Sequence, residues 1–154
     1  VPEPILRPSF ASILGRLPIH PIPFVLAKLA VLSAVAVPVL GAFGAPVPTA
    51  SSRAIRLAAA GIFVLGSAVL LASLANLGAS ARVGLPREKT ALRTGALYGL
   101  SRNPVYVGVY VLCLGAALYS PHWFVIACSL VGVALHHRIV LAEERFLDAR
   151  FGPA

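Results

Sequence analysis

Between Arg53 and Leu77 the chain runs RAIRLAAAGIFVLGSAVLLASLANL, and after the arginines of its first two turns it carries no charge. A bilayer core is about 30 Å thick and takes roughly 20 apolar residues of helix to cross, which is what this run provides. A segment apolar on nearly every side cannot be the surface helix of a water-soluble domain. Whatever else the chain does, this part belongs in lipid or in a wholly buried core.

Three further runs settle which. Phe24 to Phe43, Val105 to Tyr119 and Trp123 to Leu141 are apolar too, in a chain of 154 residues that is 58% hydrophobic and only 12% charged. Too little polar surface remains to cover a soluble core of this composition. The expected fold is all-α: an integral membrane bundle of about four transmembrane helices at 24–43, 53–77, 104–119 and 123–141. The last two form a tight hairpin through Ser120-Pro121-His122, and the fourth continues through 142–154 as a cytoplasmic helical extension. Residues 1–23 form a proline-rich segment with a short interfacial helix over 9–17, and 78–103 is a polar connection. The whole chain is one membrane domain. Lys28 through Gly44 has some features of a signal peptide, but a retained spanning helix is expected, because a long segment precedes its lysine and Pro46 follows the cleavage-like Ala45.

Within the spans, Lys28 lies one turn inside its run, where its stem can carry the ammonium back to the interface. Pro38 is a candidate kink, and Ala30 and Ala34 have the spacing that lets helices approach closely. Asn76 is expected to hydrogen-bond at a helix end. Cys113 and Cys128 fall mid-run and read as small core residues; neither a disulfide framework nor a metal site is indicated.

Net charge is +8. The basic residues sit in gaps between apolar runs, the pattern of topology signals and lipid contacts rather than of nucleic-acid binding. Arg7, Arg16 and Lys28, then Arg82, Arg87, Lys89, Arg93 and Arg102, then Arg138, Arg145 and Arg150 all fall on one side of a four-span arrangement. Only Arg53 and Arg56 fall on the other. Both termini are thereby expected in the cytoplasm.

Two polar stretches stand at that same edge. One runs from Thr94-Gly95 and Tyr98 through Ser101-Arg102-Asn103-Pro104 to Tyr106 and Gly108; the other from Arg138 through Glu143-Glu144 to Phe151-Gly152. Adjacent glutamates ending a hydrophobic run are costly and therefore point to a partner. A hairpin of helices three and four places both stretches on one face of the membrane. On helix four, Cys128, Gly132, His136 and Glu143 share a side, with His137 and Glu144 beside it. Tyr106 and Tyr110 are one turn apart on helix three. Pro104 fits the first turn of that helix, leaving Asn103 as its natural cap.

Together these stretches resemble the signature of the isoprenylcysteine carboxyl methyltransferase family and its phospholipid methyltransferase relatives, over about 94–152. The resemblance implies an integral membrane enzyme that uses S-adenosylmethionine, held at the cytoplasmic ends of the last helices, and a lipophilic acceptor such as an isoprenylcysteine carboxylate entering from the bilayer. It implies Tyr98, Arg102, Asn103, Pro104, Tyr106, His136, Glu143 and Glu144 as cofactor-binding residues, and Arg102, Arg138 and Glu144 as the residues acting in catalysis. Chemically, glutamates and aromatic faces suit the ammonium and sulfonium of the cofactor, and Arg102 or Arg138 suits its carboxylate. Methyl transfer is an in-line displacement that needs alignment more than acid–base help, so no general base is assigned; His136 or His137 come first if the acceptor is an amine. Asn103 stands where family members often carry histidine, and the aromatic, basic tail common after Phe-Gly in such proteins is not part of this sequence. The alternatives are a phospholipid or small-thiol methyltransferase of the same fold, an NADPH-dependent membrane reductase, and a non-catalytic membrane protein.

Overall fold

A computed structural model describes residues 18–77, 96–99, 101 and 103–151. The expected interfacial helix over 9–17, the connection from 78 to 95, and Arg102 lie outside the described residues. The chain forms α1 (Pro21–Ala42), α2 (Arg53–Leu77), a 3₁₀ turn (Ala96–Gly99), α3 (Pro104–Tyr119) and α4 (Trp123–Phe151). The described residues are otherwise turns and loops, and the architecture is all-helical.

Each helix starts where its sequence permits. Pro21 and Pro23 occupy the first turn of α1, where a missing N–H costs nothing, so that the helix begins three residues before the apolar run itself. His20 caps it, its Nδ1 accepting from the Ile22 N–H at 3.4 Å. Pro104 opens α3 in the same way. His122 Nδ1 accepts from the Phe124 N–H at 3.3 Å and so begins α4, one residue after Pro121. From there α4 continues for 29 residues, roughly 43 Å of helix at 1.5 Å per residue, through both glutamates.

Three of the helices are long and apolar enough to cross a membrane: Pro21–Ala42, Arg53–Leu77 and Trp123–Phe146. Their outward faces carry large apolar side chains that only lipid can accept, among them Leu32, Leu57, Leu71 and Leu130. Phe43 is 87% and Trp123 72% exposed, and both mark the end of the bundle opposite the glutamates. The protein is a multi-pass membrane helical bundle. α3 is a shorter apolar helix of 16 residues, about 24 Å, and falls short of a full crossing.

The sequence reading makes α3 and α4 the close pair, but the closest approach of α3 is to α2. A Cβ at Gly66 would stand 2.6 Å from the Leu112 nitrogen, and one at Gly108 would stand 2.7 Å from the Leu70 nitrogen. Glycines on both helices therefore bring the two backbones together, the small-residue packing that replaces hydrophobic burial in lipid. α1 packs antiparallel on α4, with fully buried Ala27 against Ile139 and fully buried Ala34 against Val125. Of the spaced alanines, Ala30 is buried as well. α3 also touches α1 and α4, and so joins the two pairs.

The ends are tied. Ala50 N–H donates to the Tyr119 carbonyl at 2.8 Å, joining the α1–α2 loop to the α3–α4 turn. Arg56 clamps the same loop by donating to the carbonyls of Ala50 and Ser51 at 2.6 and 2.9 Å. With those connections at one end, the start of α1, the start of α3 and the end of α4 meet at the other.

Candidate functional site

At that second end α3 and α4 exchange two side-chain hydrogen bonds. Tyr106 Oη donates to Glu143 Oε1 at 2.9 Å, a charge-assisted bond of about 1.5–3 kcal/mol. Asn103 Nδ2 donates to Glu144 Oε1 at 3.4 Å, a longer and weaker contact. The neighbouring glutamates are thus divided between two donors a single turn apart on α3.

Asn103 begins α3 through its backbone, its carbonyl accepting from Tyr106 and Val107. Its side chain makes no capping bond, contrary to the sequence expectation, because the amide turns toward Glu144 instead. The Ser101 hydroxyl receives the Asn103 N–H at 3.2 Å and holds the residue in place. Pro104 is buried. Tyr98, on the 3₁₀ turn, is half-buried and close enough to Glu143 to feel its charge; burial first, and that negative charge second, push its hydroxyl above the ordinary tyrosine value.

One layer deeper, His136 is 2% exposed. Its Nδ1 lies 2.8 Å from the Gly132 carbonyl, one turn back on α4. A carbonyl only accepts, so Nδ1 carries the proton and Nε2 presents its lone pair. That lone pair faces Lys28 Nζ at 3.1 Å. The same ammonium lies 5.2 Å from the centroid of the Phe24 ring and 5.9 Å from that of Tyr106, and the Tyr106 and His136 rings meet at 5.8 Å. Gly132 lets α1 come close to α4 here: a Cβ would fall 2.7 Å from Val31 Cγ2.

The structure brings Tyr98, Asn103, Pro104, Tyr106, His136, Glu143 and Glu144 to one end of the bundle. Arg138 is exposed, two residues and therefore some 200° round α4 from buried His136. His136 has both ring nitrogens engaged and offers no free lone pair to act as a base; His137 is exposed on the outer face.

Lys28 is the residue that sequence reasoning misplaced. Its ammonium turns inward to His136 rather than running back along α1 to the interface. Phe24 one turn earlier was the available signal, since an aromatic at i–4 gives a lysine an inward seat. Tyr110, one turn past Tyr106, keeps a buried hydroxyl without a hydrogen-bond partner. Buried hydroxyls are nearly always paired, and this one lies within the reach of the Glu144 charge.

The donor set is thus two carboxylates and aromatic faces at the membrane edge, with a cation and a neutral imidazole beneath them. Such a set suits a ligand that carries positive charge at its polar end. Searches of curated proteins and of solved structures give no match. A family model described as phospholipid methyltransferase matches residues 55–154, which take in all but the first two residues of α2, the 3₁₀ turn, α3 and α4, and with them every residue of the cluster except those from α1. On that match, over more than half of its length, the chain belongs to the phospholipid methyltransferase family of membrane methyltransferases.

Proposed function

We propose that the protein is an S-adenosylmethionine-dependent methyltransferase that acts on a lipophilic acceptor, such as an isoprenylcysteine carboxylate, reaching the site from the bilayer. The observation that carries this reading is the pairing of Glu143 with Tyr106 and of Glu144 with Asn103. Two carboxylates at the edge of a hydrophobic bundle, each oriented among the described residues by a neutral donor, suit a ligand with a cationic end. Glu143, Glu144, Tyr98, Tyr106 and Asn103 would hold the cationic end of the cofactor, and the free Tyr110 hydroxyl supplies one more donor. When bound, the cofactor supplies an activated methyl group on a sulfonium.

The remaining chemistry belongs to the chain. Tyr106 and Asn103 fix the carboxylates, so the ligand meets a preorganised negative surface instead of mobile side chains. The apolar walls of α3 and α4 limit water at a reaction that disperses charge, and alignment of acceptor and donor supplies the rate. With His136 engaged at both nitrogens, proton removal by that residue is not part of this scheme. The distribution of Lys and Arg along the sequence supports a cytoplasmic face for the site and for both termini.

The family's description supports a second reading for the acceptor, a phospholipid headgroup amine. The decisive experiment is binding of labelled S-adenosylmethionine to purified protein in lipid nanodiscs, wild type against Glu144→Ala, followed by transfer of the label to a panel of prenyl-thioether acids, phospholipid amines and small thiols. Saturable binding that weakens in the variant supports the reading. No binding by the wild type overturns it.

A further inference from the structure

Lys28 sits in α1, outside the residues that match the family, yet its ammonium enters the cluster. A cation at this depth is costly unless something compensates it. Its contacts are a neutral imidazole nitrogen at 3.1 Å and two aromatic faces at 5.2 and 5.9 Å. Among the described residues no carboxylate pairs with it directly: Glu143 acts on it through its field while its oxygen is taken by Tyr106. The His136 tautomer, fixed from the far side by Gly132, offers Nε2 as an acceptor and so holds the ammonium inward. Lys28 as a residue is exposed on α1, while its ammonium is held against His136.

We propose that Lys28 is a specificity-determining residue that selects an anionic acceptor headgroup, a carboxylate, thiolate or phenolate, over an ammonium-bearing one. The inference rests on the methyltransferase reading for what happens next, but the charge selection itself is a property of binding. One feature separates the acceptor from the cofactor as the anion that Lys28 meets. His136, which holds the ammonium, lies two turns, about 10 Å, deeper along α4 than Glu143, below the membrane-edge carboxylates that suit a polar cofactor. An ammonium headgroup brought to the same place would meet like charge in a medium of low dielectric, where repulsion is strong.

The test uses wild type, Lys28→Met and Lys28→Arg in nanodiscs. The probes are a fifteen-carbon isoprenyl thioether ending in a carboxylate and the same chain ending in a primary amine, with direct binding of each measured alongside binding of S-adenosylmethionine and methyl transfer. Wild type is expected to bind the acid at least about tenfold more tightly than the amine, a difference of about 1.4 kcal/mol. Lys28→Met is expected to lose that preference and Lys28→Arg to keep it, each judged on the ratio of acid to amine binding within one protein. Equal or reversed preference in wild type overturns the proposal, as does a Lys28→Met protein that keeps the preference. Should Lys28→Met not fold, the wild-type ratio and its retention in Lys28→Arg decide. Failure of wild type to bind the cofactor, with acid preference still dependent on Lys28, would remove the methyltransferase reading and leave the charge selection standing.

Discussion

The hydroxyl of Tyr106 lies 2.9 Å from Oε1 of Glu143, joining the first turn of α3 to the membrane-edge end of α4. One bond therefore sets both the orientation of a carboxylate and the spacing of the two helices that carry the site. Removing the donor and removing the charge should have separable effects.

Tyr106→Phe keeps the ring against His136 and Lys28 but leaves Glu143 short of a partner. Losing a charge-assisted bond of about 1.5–3 kcal/mol predicts a lower unfolding temperature and roughly tenfold or greater loss of cofactor affinity. Glu143→Gln keeps an oxygen for Tyr106 to donate to, so its stability should stay nearer to wild type while affinity for the cationic ligand falls at least as far. Thermal unfolding in detergent and equilibrium binding of S-adenosylmethionine read the two effects separately. Equal losses of stability and binding in both variants would reduce Glu143 to a structural role.

Packing in lipid makes its own prediction. Gly108→Ala and Gly66→Ala place a methyl against helix backbone at 2.7 and 2.6 Å, where nothing flexible can yield. Overpacking of this kind costs about 1–3 kcal/mol and would push α2 from α3. Gly61, on the same helix as Gly66, faces open space, and Gly61→Ala is expected to be neutral or slightly stabilising. Midpoints of unfolding in mixed detergent test the contrast; a destabilised Gly61→Ala beside an unaffected Gly66→Ala would contradict the α2–α3 contact.

Much of this arrangement is legible from residue types. The four apolar runs, the Ser120-Pro121 turn and the alternating path of a four-span chain place Asn103 and Glu144 at one end, since helix direction alone decides it. The residues Tyr106 and His136 follow from helical spacing. Lys28 does not, because a lysine near the end of a span has two seats of similar cost, outward along its stem or inward over an aromatic, and the choice depends on His136 from a helix more than a hundred residues away. Arg138 stands apart for a local reason: it is near Glu143 in sequence, but a 100° step per residue carries it round to an exposed side of α4. The intimacy of α2 with α3 rests on which glycines face each other, and a run apolar on all sides conceals its facing side.

The hydroxyl of Tyr98 gives a pH dependence with a definite sign. Burial and the charge of Glu143 raise its folded value above that of an unfolded tyrosine, about 10. Below the unfolded value both states hold the proton and the contribution to stability is intact. As pH rises past it, the unfolded chain releases the proton first, so stability declines until the folded hydroxyl also ionises. Wild type should therefore lose stability more steeply above about pH 10 than Tyr98→Phe. Unfolding midpoints across that range, with phenolate absorbance to follow ionisation, measure it; parallel curves for the two proteins would mean that Tyr98 is not held near Glu143.

Asn103→Asp separates a helix cap from a binding group. Aspartate is at least as good as asparagine at a helix N-terminus, and its charge is favourable there, so α3 itself should be no less stable. The side chain, however, now faces Glu144, where the Asn103 amide donates at 3.4 Å, and a carboxylate in that place sets like charge against like charge. The pair would either repel or share a proton, and in both cases Glu144 would no longer stand oriented by a neutral donor. Cofactor affinity is expected to fall further in Asn103→Asp than in Asn103→Ala, which only leaves Glu144 without its donor. The deficit of the aspartate variant should shrink as pH is lowered toward the carboxylate range, because protonation turns the aspartate into a donor; the alanine variant has no such group and should show no matching recovery. Binding of S-adenosylmethionine between pH 5 and 8, compared for the two variants, would reveal this difference. Identical pH profiles would show that Asn103 acts on α3 alone and leaves Glu144 to be oriented by something else.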